Sequence, residues 1–156
     1  GTVLAMFQAF LFVLMAPLLQ FVGLAPEMHF VVGVVNILGA ILFLALVSLG
    51  LTALGYFFAW RMDSIQGYHS IMSVVLLPMW LLSGALFPGD DSPWMKWIIA
   101  ANPLTYGVAG LRRFVSSGSD ALSSMPSLPV CLAVTAGFAF VCLAADVWVT
   151  RRDQGV

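Results

Sequence analysis

Charge is what this sequence has least of. Six Lys+Arg and seven Asp+Glu among 156 residues make it 8% charged, with a mean hydropathy of +1.04, where a soluble domain is roughly a quarter charged. That composition excludes an ordinary water-soluble fold and reads as an integral membrane protein. A net charge of −1 leaves no electrostatic footprint for a nucleic acid. The single lysine, Lys96, follows Met95 and not glycine, so no phosphate-cradling G-x-x-x-x-G-K-[ST] loop can form. Any energy from ATP has to come from another chain.

Other chemistry is equally sparse. The only histidines, His29 and His69, are far apart in sequence at predicted helix ends, and no His/Cys/carboxylate group has zinc spacing. The two cysteines, Cys131 and Cys142, fall in one apolar run. At about 1.5 Å per helical residue they stand ~16 Å apart, whereas a disulfide needs Cα atoms within about 7 Å. They are read as small packing residues. Gly-x-Ser-x-Gly is absent, as are internal repeats and low-complexity tails. The opening GTVLAMF has no initiator Met, no basic n-region and no cleavage site, so it is read as an internal cut and not as a signal peptide.

What is present is apolar sequence in long blocks, the pattern of spanning helices and not of the short alternating strands of a barrel. Four blocks have spanning length: Val3–Leu24, Phe30–Phe58, Ser70–Phe87 and Leu128–Val149. The fold class expected is an all-α, polytopic bundle, one transmembrane domain over 1–156. Pro17 should kink the first block, and Pro26-Glu27-Met28-His29 leaves room only for a tight hairpin. Gly33, Gly39, Gly50 and Gly55, and the Ala133/Gly137 spacing, suit close helix packing. Ala59 to His69 reads as a short polar connector. Asp146 is the one acid inside a predicted span. It is expected to reach the interface or pair with Arg151 or a neighbouring helix, the alternative being a cation partner in a permeation path.

A longer excursion, Pro88 to Pro129, separates the last two blocks. Pro88-Gly89-Asp90-Asp91 is a turn, and Ser92-Pro93 is an N-cap followed by proline at the first helical position. Trp94, Trp97, Ile98 and Ala101 then share one helical face, suited to headgroup level. Asn102-Pro103 repeats the start signal for a second short helix with a stripe of Leu104, Val108, Leu111 and Val115. Arg112 and Arg113 close it, and Ser116-Ser117-Gly118 stops it. Neither helix can cross, so the pair, over about 92–117, predicts a re-entrant or interfacial hairpin. Crossings alternate sides, which places Arg61, Arg151 and Arg152 on one face and Lys96, Arg112 and Arg113 on the other. The positive-inside count is a tie.

At this stretch the residues resemble a family. LSGALFP at Leu82–Pro88, SPWMKWI at Ser92–Ile98 and ANPLTYGVAGLR at Ala101–Arg112 are similar to the signature region of permease subunits of type-2 ABC exporters. The four blocks match the third to sixth of that family's six spans, so the chain is read as the C-terminal portion of such a subunit. The resemblance implies a cytoplasmic C-terminus, a bacterial inner-membrane location, a second permease copy or homologue as dimer partner, and ABC ATPase subunits that hold the ATP and magnesium. This chain itself is expected to carry no cofactor and no catalytic residue, with membrane lipids around it and no nucleic acid. The ATPase contact is assigned to Arg61, Met62, Asp63, Ser64, Ile65, Gln66 and Gly67. The outer hairpin, or gate, is assigned to Ser83, Gly84, Phe87, Pro88, Trp94, Asn102, Pro103, Leu104, Thr105, Tyr106 and Arg112. The expected cargo is a lipid, a polysaccharide or a hydrophobic drug-like molecule. An ion-driven carrier or channel is the alternative, and a membrane-embedded enzyme the third; both want ionisable groups that this sequence scarcely has.

Overall fold

The computed structural model describes residues 1–21, 33–85, 93–115 and 125–153, and every element among them is a helix. We label them α1 (Thr2–Phe21), α2 (Val34–Arg61), α3 (Ile65–Trp80), α4 (Pro93–Ala101), α5 (Pro103–Val115) and α6 (Leu128–Asp153). Among the described residues three helices are long and apolar enough to cross a membrane: Val34–Arg61, Ile65–Gly84 and Leu128–Arg152. They are the second, third and fourth of the expected spans. For the first, α1 runs 20 residues, with Thr2–Leu11 counted as a shorter apolar helix. The expected Pro26–His29 hairpin lies outside the described residues.

The boundaries differ from the sequence reading at the polar connector. Ala59–His69 was expected to be loop, yet α2 runs through Arg61 and α3 starts at Ile65. Only Met62, Asp63 and Ser64 remain between them. Ser64 makes this possible, since its hydroxyl accepts the Gly67 backbone N–H at 3.1 Å and caps α3. Met62 closes α2 in an extended conformation, its N–H donating to Ala59 O. A side chain at Gly67 would put its Cβ 2.9 Å from that capping oxygen. Ser64→Ala should therefore destabilise the start of α3 by about 1 kcal/mol, the usual worth of a serine cap, measurable as earlier hydrogen exchange at Gly67 and Tyr68.

Helix α2 is the axis of the bundle, and its contacts fix the direction of the others. Phe43 clusters with Cys131 of α6, and a Cβ at Gly50 would stand 3.0 Å from the Phe138 ring and 3.3 Å from Ala139 Cα. One step of seven residues on α2 matches seven or eight on α6, so the two helices run parallel, at the repeat that keeps one seam facing its partner. Against α5 the order reverses. Gly107 meets Val47, Gly110 meets Phe43, and Phe114 meets Gly39, so α5 runs antiparallel to α2. Gly55 faces Tyr68 and Met72 of α3, which returns antiparallel from the short connector. The Thr2 hydroxyl donates to the Thr52 hydroxyl at 3.4 Å and ties the start of α1 to α2.

The core is small: Phe43, Ala109 and Cys131, with Val47, Tyr106, Leu111, Phe114 and Met125 packed on it. Most large apolar side chains point outwards, among them Phe10, Leu42, Val74 and Phe140. That is the arrangement expected where hydrocarbon replaces water around the bundle. A Cβ at Gly137 would meet nothing within 4 Å among the described residues.

Candidate functional site

The local sequence dictates an unusual end to α3. Pro78 lies inside the helix and has no N–H to give the carbonyl one turn back. Beyond it the helix widens into a π-type turn over Leu81–Ala85, where Gly84 takes φ 73°, ψ 6°. A non-glycine residue there costs roughly 1–2 kcal/mol for the left-handed backbone alone. Among the described residues nothing stands within 4 Å of where a Cβ at Gly84 would be. Gly84→Ala is thus expected to lower stability by about that amount through backbone strain without a clash, and a melting shift with unchanged packing of Phe43 would show it.

A helix end leaves its last carbonyls without intrahelical donors. In α3 those carbonyls are taken by two side chains from the excursion and one from the turn that continues α3. Asn102 Nδ2 donates to Met79 O at 2.6 Å, Ser83 Oγ to Trp80 O at 2.7 Å, and Thr105 Oγ1 approaches Leu82 O at 3.5 Å. Ser83 and Asn102 are buried, at 2% and 7% exposure. Asn102 also works locally. Its Oδ1 accepts the Leu104 N–H at 3.0 Å and so caps α5, while Pro103 fills the first helical position. Thr105 Oγ1 donates to Ile99 O at 2.8 Å and Tyr106 OH to Ala100 O at 2.9 Å, joining α5 back to α4. One asparagine therefore holds three helices: α3 through its amide nitrogen, α5 through its oxygen, and α4 through its own N–H to Ile99 O.

The depth of this turn follows from the contacts. Gly107 to Phe114 retrace α2 from Val47 to Gly39. Val47 lies 13 residues from Val34, or about 20 Å along a 28-residue helix of roughly 42 Å. Asn102 precedes Gly107 by five residues, about 8 Å further along, so its turn lies past the middle of α2 but within its length, and α5 climbs from there towards the start of α2.

Of the residues assigned to the gate, Ser83, Gly84, Asn102, Pro103, Leu104, Thr105 and Tyr106 come together in this cluster. Phe87 and Pro88 lie outside the described residues, as do Asp90, Asp91 and the Ser116–Gly118 stop. Trp94 is not in the cluster. It is 62% exposed and Trp97 is 79% exposed, so the tryptophan face of α4 looks away from the bundle, while Met95 and Ile99 look towards it. The apolar stripe of α5 is also displaced: its buried residues are Gly107, Ala109 and Gly110, because small residues let the helix approach Phe43 and Val47 closely. Arg112 is half-buried near the end of α5. Its neighbour Arg113, not assigned from sequence, spans to the next segment, Nε donating to Pro126 O and Nη2 to Met125 O, both at 2.8 Å. Two arginines in a helix's last turn read the same in sequence; only the fold decides which one reaches across.

At the opposite end the residues assigned to ATPase contact form one exposed corner. Arg61 ends α2 with its guanidinium 4.9 Å from the Phe57 ring centroid. Asp63, Ser64, Ile65 and Gln66 are exposed, and Met62 and Gly67 partly so. Asp146 is buried, 9% exposed, and its Oδ1 has no hydrogen-bond partner among the described residues. Among the described residues no three His, Cys, Asp or Glu are grouped to hold a metal.

Among known families, the chain matches the one described as ABC-2 type transporter, over residues 1–115 of the 156, from α1 to the end of α5. Nothing among curated proteins or solved structures matches the chain.

Proposed function

This chain belongs to the ABC-2 type transporter family, and from that premise we propose that it forms part of the translocation pathway of an ATP-driven exporter. As a member it is a multi-pass membrane permease component of an ABC transporter, without catalytic chemistry of its own. Beyond that, we assign it four spans, α1 included, in a bacterial inner membrane. ATP and magnesium belong to partner ATPase subunits, and a second permease copy or homologue completes the pathway. The cargo is a lipid, a polysaccharide or a hydrophobic drug-like molecule, which suits faces built of Leu, Val, Phe and Met.

The observation that carries the reading is the Asn102 turn, which lies within the length of α2 and not at its end. Helices of 9 and 13 residues are too short for a hydrocarbon layer of about 30 Å. Their inner ends have their polar groups satisfied by α3 carbonyls and by each other, the condition under which non-spanning backbone is tolerated at membrane depth. We therefore assign α4 and α5 to a re-entrant hairpin that closes the outer side. The Arg61–Gly67 corner, at the other end of α2, then faces the cytoplasm, where an ATPase must grip. Closure of the ATPase dimer would move this corner, and α3 would carry the movement to its far end, where Asn102 holds the hairpin.

The test is purification of the full-length protein with its ATPase. Arg61→Ala combined with Asp63→Ala is expected to weaken co-purification and stimulated ATP hydrolysis while membrane insertion stays intact. Unchanged association and hydrolysis would remove the corner from the docking surface.

A further inference from the structure

We propose that Asp146 is the receiving site for the Arg61 guanidinium, an ion pair between α6 and α2 that forms when Arg61 leaves the Phe57 ring. The register carries the inference. Contacts between α2 and α6 fall at Phe43 with Cys131 and at Gly50 with Phe138 and Ala139. The next step of seven on the parallel seam brings Phe57 opposite Ala145 and Asp146. The Arg61 guanidinium is folded back over Phe57, 4.9 Å from the ring centroid, and so is held at the level of Asp146 rather than projecting beyond the end of α2. Arg61 follows Gly50 and Phe57 by 11 and 4 residues, which keeps it on the α6-facing side of the helix. Asp146 lies on the matching side of α6, 7 and 15 residues after Ala139 and Cys131, and it is buried, its Oδ1 without a hydrogen-bond partner among the described residues.

A carboxylate buried at membrane depth is expensive unless paired, while an arginine over an aromatic face is held by a weaker, replaceable attraction. The two positions make Arg61 a two-state element. The other cations near Asp146 are Arg151 and Arg152 on its own helix. Arg152 lies over Trp148, 5.4 Å from the centroid, two residues and so about 200° round the helix from Asp146. Thr150, on the same side as Asp146, donates its hydroxyl to the Asp146 backbone carbonyl at 2.6 Å and not to the carboxylate. That the switch links the docking corner to α6 rests on the permease reading; the pair itself does not.

The experiment is a double-mutant cycle on thermal melting of the full-length protein in lipid nanodiscs, without ATPase or substrate. Arg61→Ala and Asp146→Asn should each lower the melting temperature, the double variant should melt no lower than the worse single one, and the exchange R61D/D146R should recover part of the loss. Arg151→Ala should add to Asp146→Asn. A second measurement does not depend on how the alanine variant folds. In Arg61→Lys, an apolar carbodiimide activates the Asp146 carboxyl, the introduced amine attacks it, and an amide forms between positions 61 and 146 as the carbodiimide leaves as its urea. Peptide mass spectrometry should find that link, and lose it when Asp146→Asn is added. Additive melting losses, or N-acylurea on Asp146 without the link, would overturn the pair; failure of ATPase association alone would overturn the permease reading and leave the pair standing.

Discussion

Asn102→Ala is expected to lower coupled transport or raise substrate leak in reconstituted vesicles while membrane insertion and ATPase association stay near normal. Two separate bonds are lost. The first is the cap on Leu104 N–H at 3.0 Å, typically worth about 1 kcal/mol. The second is the 2.6 Å bond to Met79 O. Its loss leaves the part-buried Met79 carbonyl beside Pro78 and the widened turn without its donor, at about 1–3 kcal/mol where no water replaces it. The sum, roughly 2–4 kcal/mol, falls on one link between the hairpin and α3. It is comparable with the few kcal/mol that separate conformations of a two-state protein, so it is large for gating and small for a whole bundle. Asn102→Ser separates the two terms. A serine hydroxyl can still cap α5 but is too short to reach Met79 O, so it should recover only the first kilocalorie or so. Transport, leak and ATP hydrolysis all at wild-type levels in a well-expressed Asn102→Ala protein would reduce the hairpin to surface packing.

Gly110→Leu is expected to do the most damage to the fold itself. Even a Cβ at Gly110 would run into the Phe43 ring. That ring is held between Ala109 and Cys131 and lies 6.2 Å from the Phe114 ring, centroid to centroid, so it has nowhere to turn. Overpacking of this kind costs about 1–3 kcal/mol or more, and here it also pushes α5 off α2, taking Asn102 away from Met79. The glycines grade the effect. Gly107→Ala would place a methyl 3.1 Å from Val47 Cγ2 and should be only mildly destabilising. Gly137→Ala meets nothing within 4 Å among the described residues and should be neutral or gain about 0.5–1 kcal/mol of helix stability. Melting temperatures in the order Gly137→Ala, Gly107→Ala, Gly110→Leu, from highest to lowest, would bear this out; equal losses at all three would contradict the packing of α5 on α2.

The starts of α4 and α5 at Pro93 and Pro103 were legible because a cap residue followed by proline is a local signal, with its partner one or two residues away. The same is true of apolar length, which marked α2, α3 and α6. What sequence could not supply was non-local. Nothing near Met79 announces that its carbonyl is taken by a residue 23 positions later. Helical spacing found the Trp94–Trp97–Ile98 face of α4 but not its direction, because in a membrane protein an apolar face fits lipid as well as protein. The same ambiguity hid the burial of α5 on glycines rather than on its larger residues. Ala59–His69 was read as loop on polarity alone, whereas the Ser64 cap lets a polar stretch begin a helix. Asp146 was visible as an anomaly, but its burial and the place of Phe57 opposite it required the register of α6 on α2.

The most direct measurement is sided cysteine labelling in sealed cells. Gln66→Cys lies on the exposed docking corner, and Ser119→Cys lies in the polar stretch after α5; the native Cys131 and Cys142 are both buried and should contribute little background. A membrane-impermeant thiol reagent is expected to label position 119 from outside and to reach position 66 only after the membrane is opened. Labelling at 66 but not at 119 in intact cells would put the hairpin on the ATPase side and contradict the account at its centre.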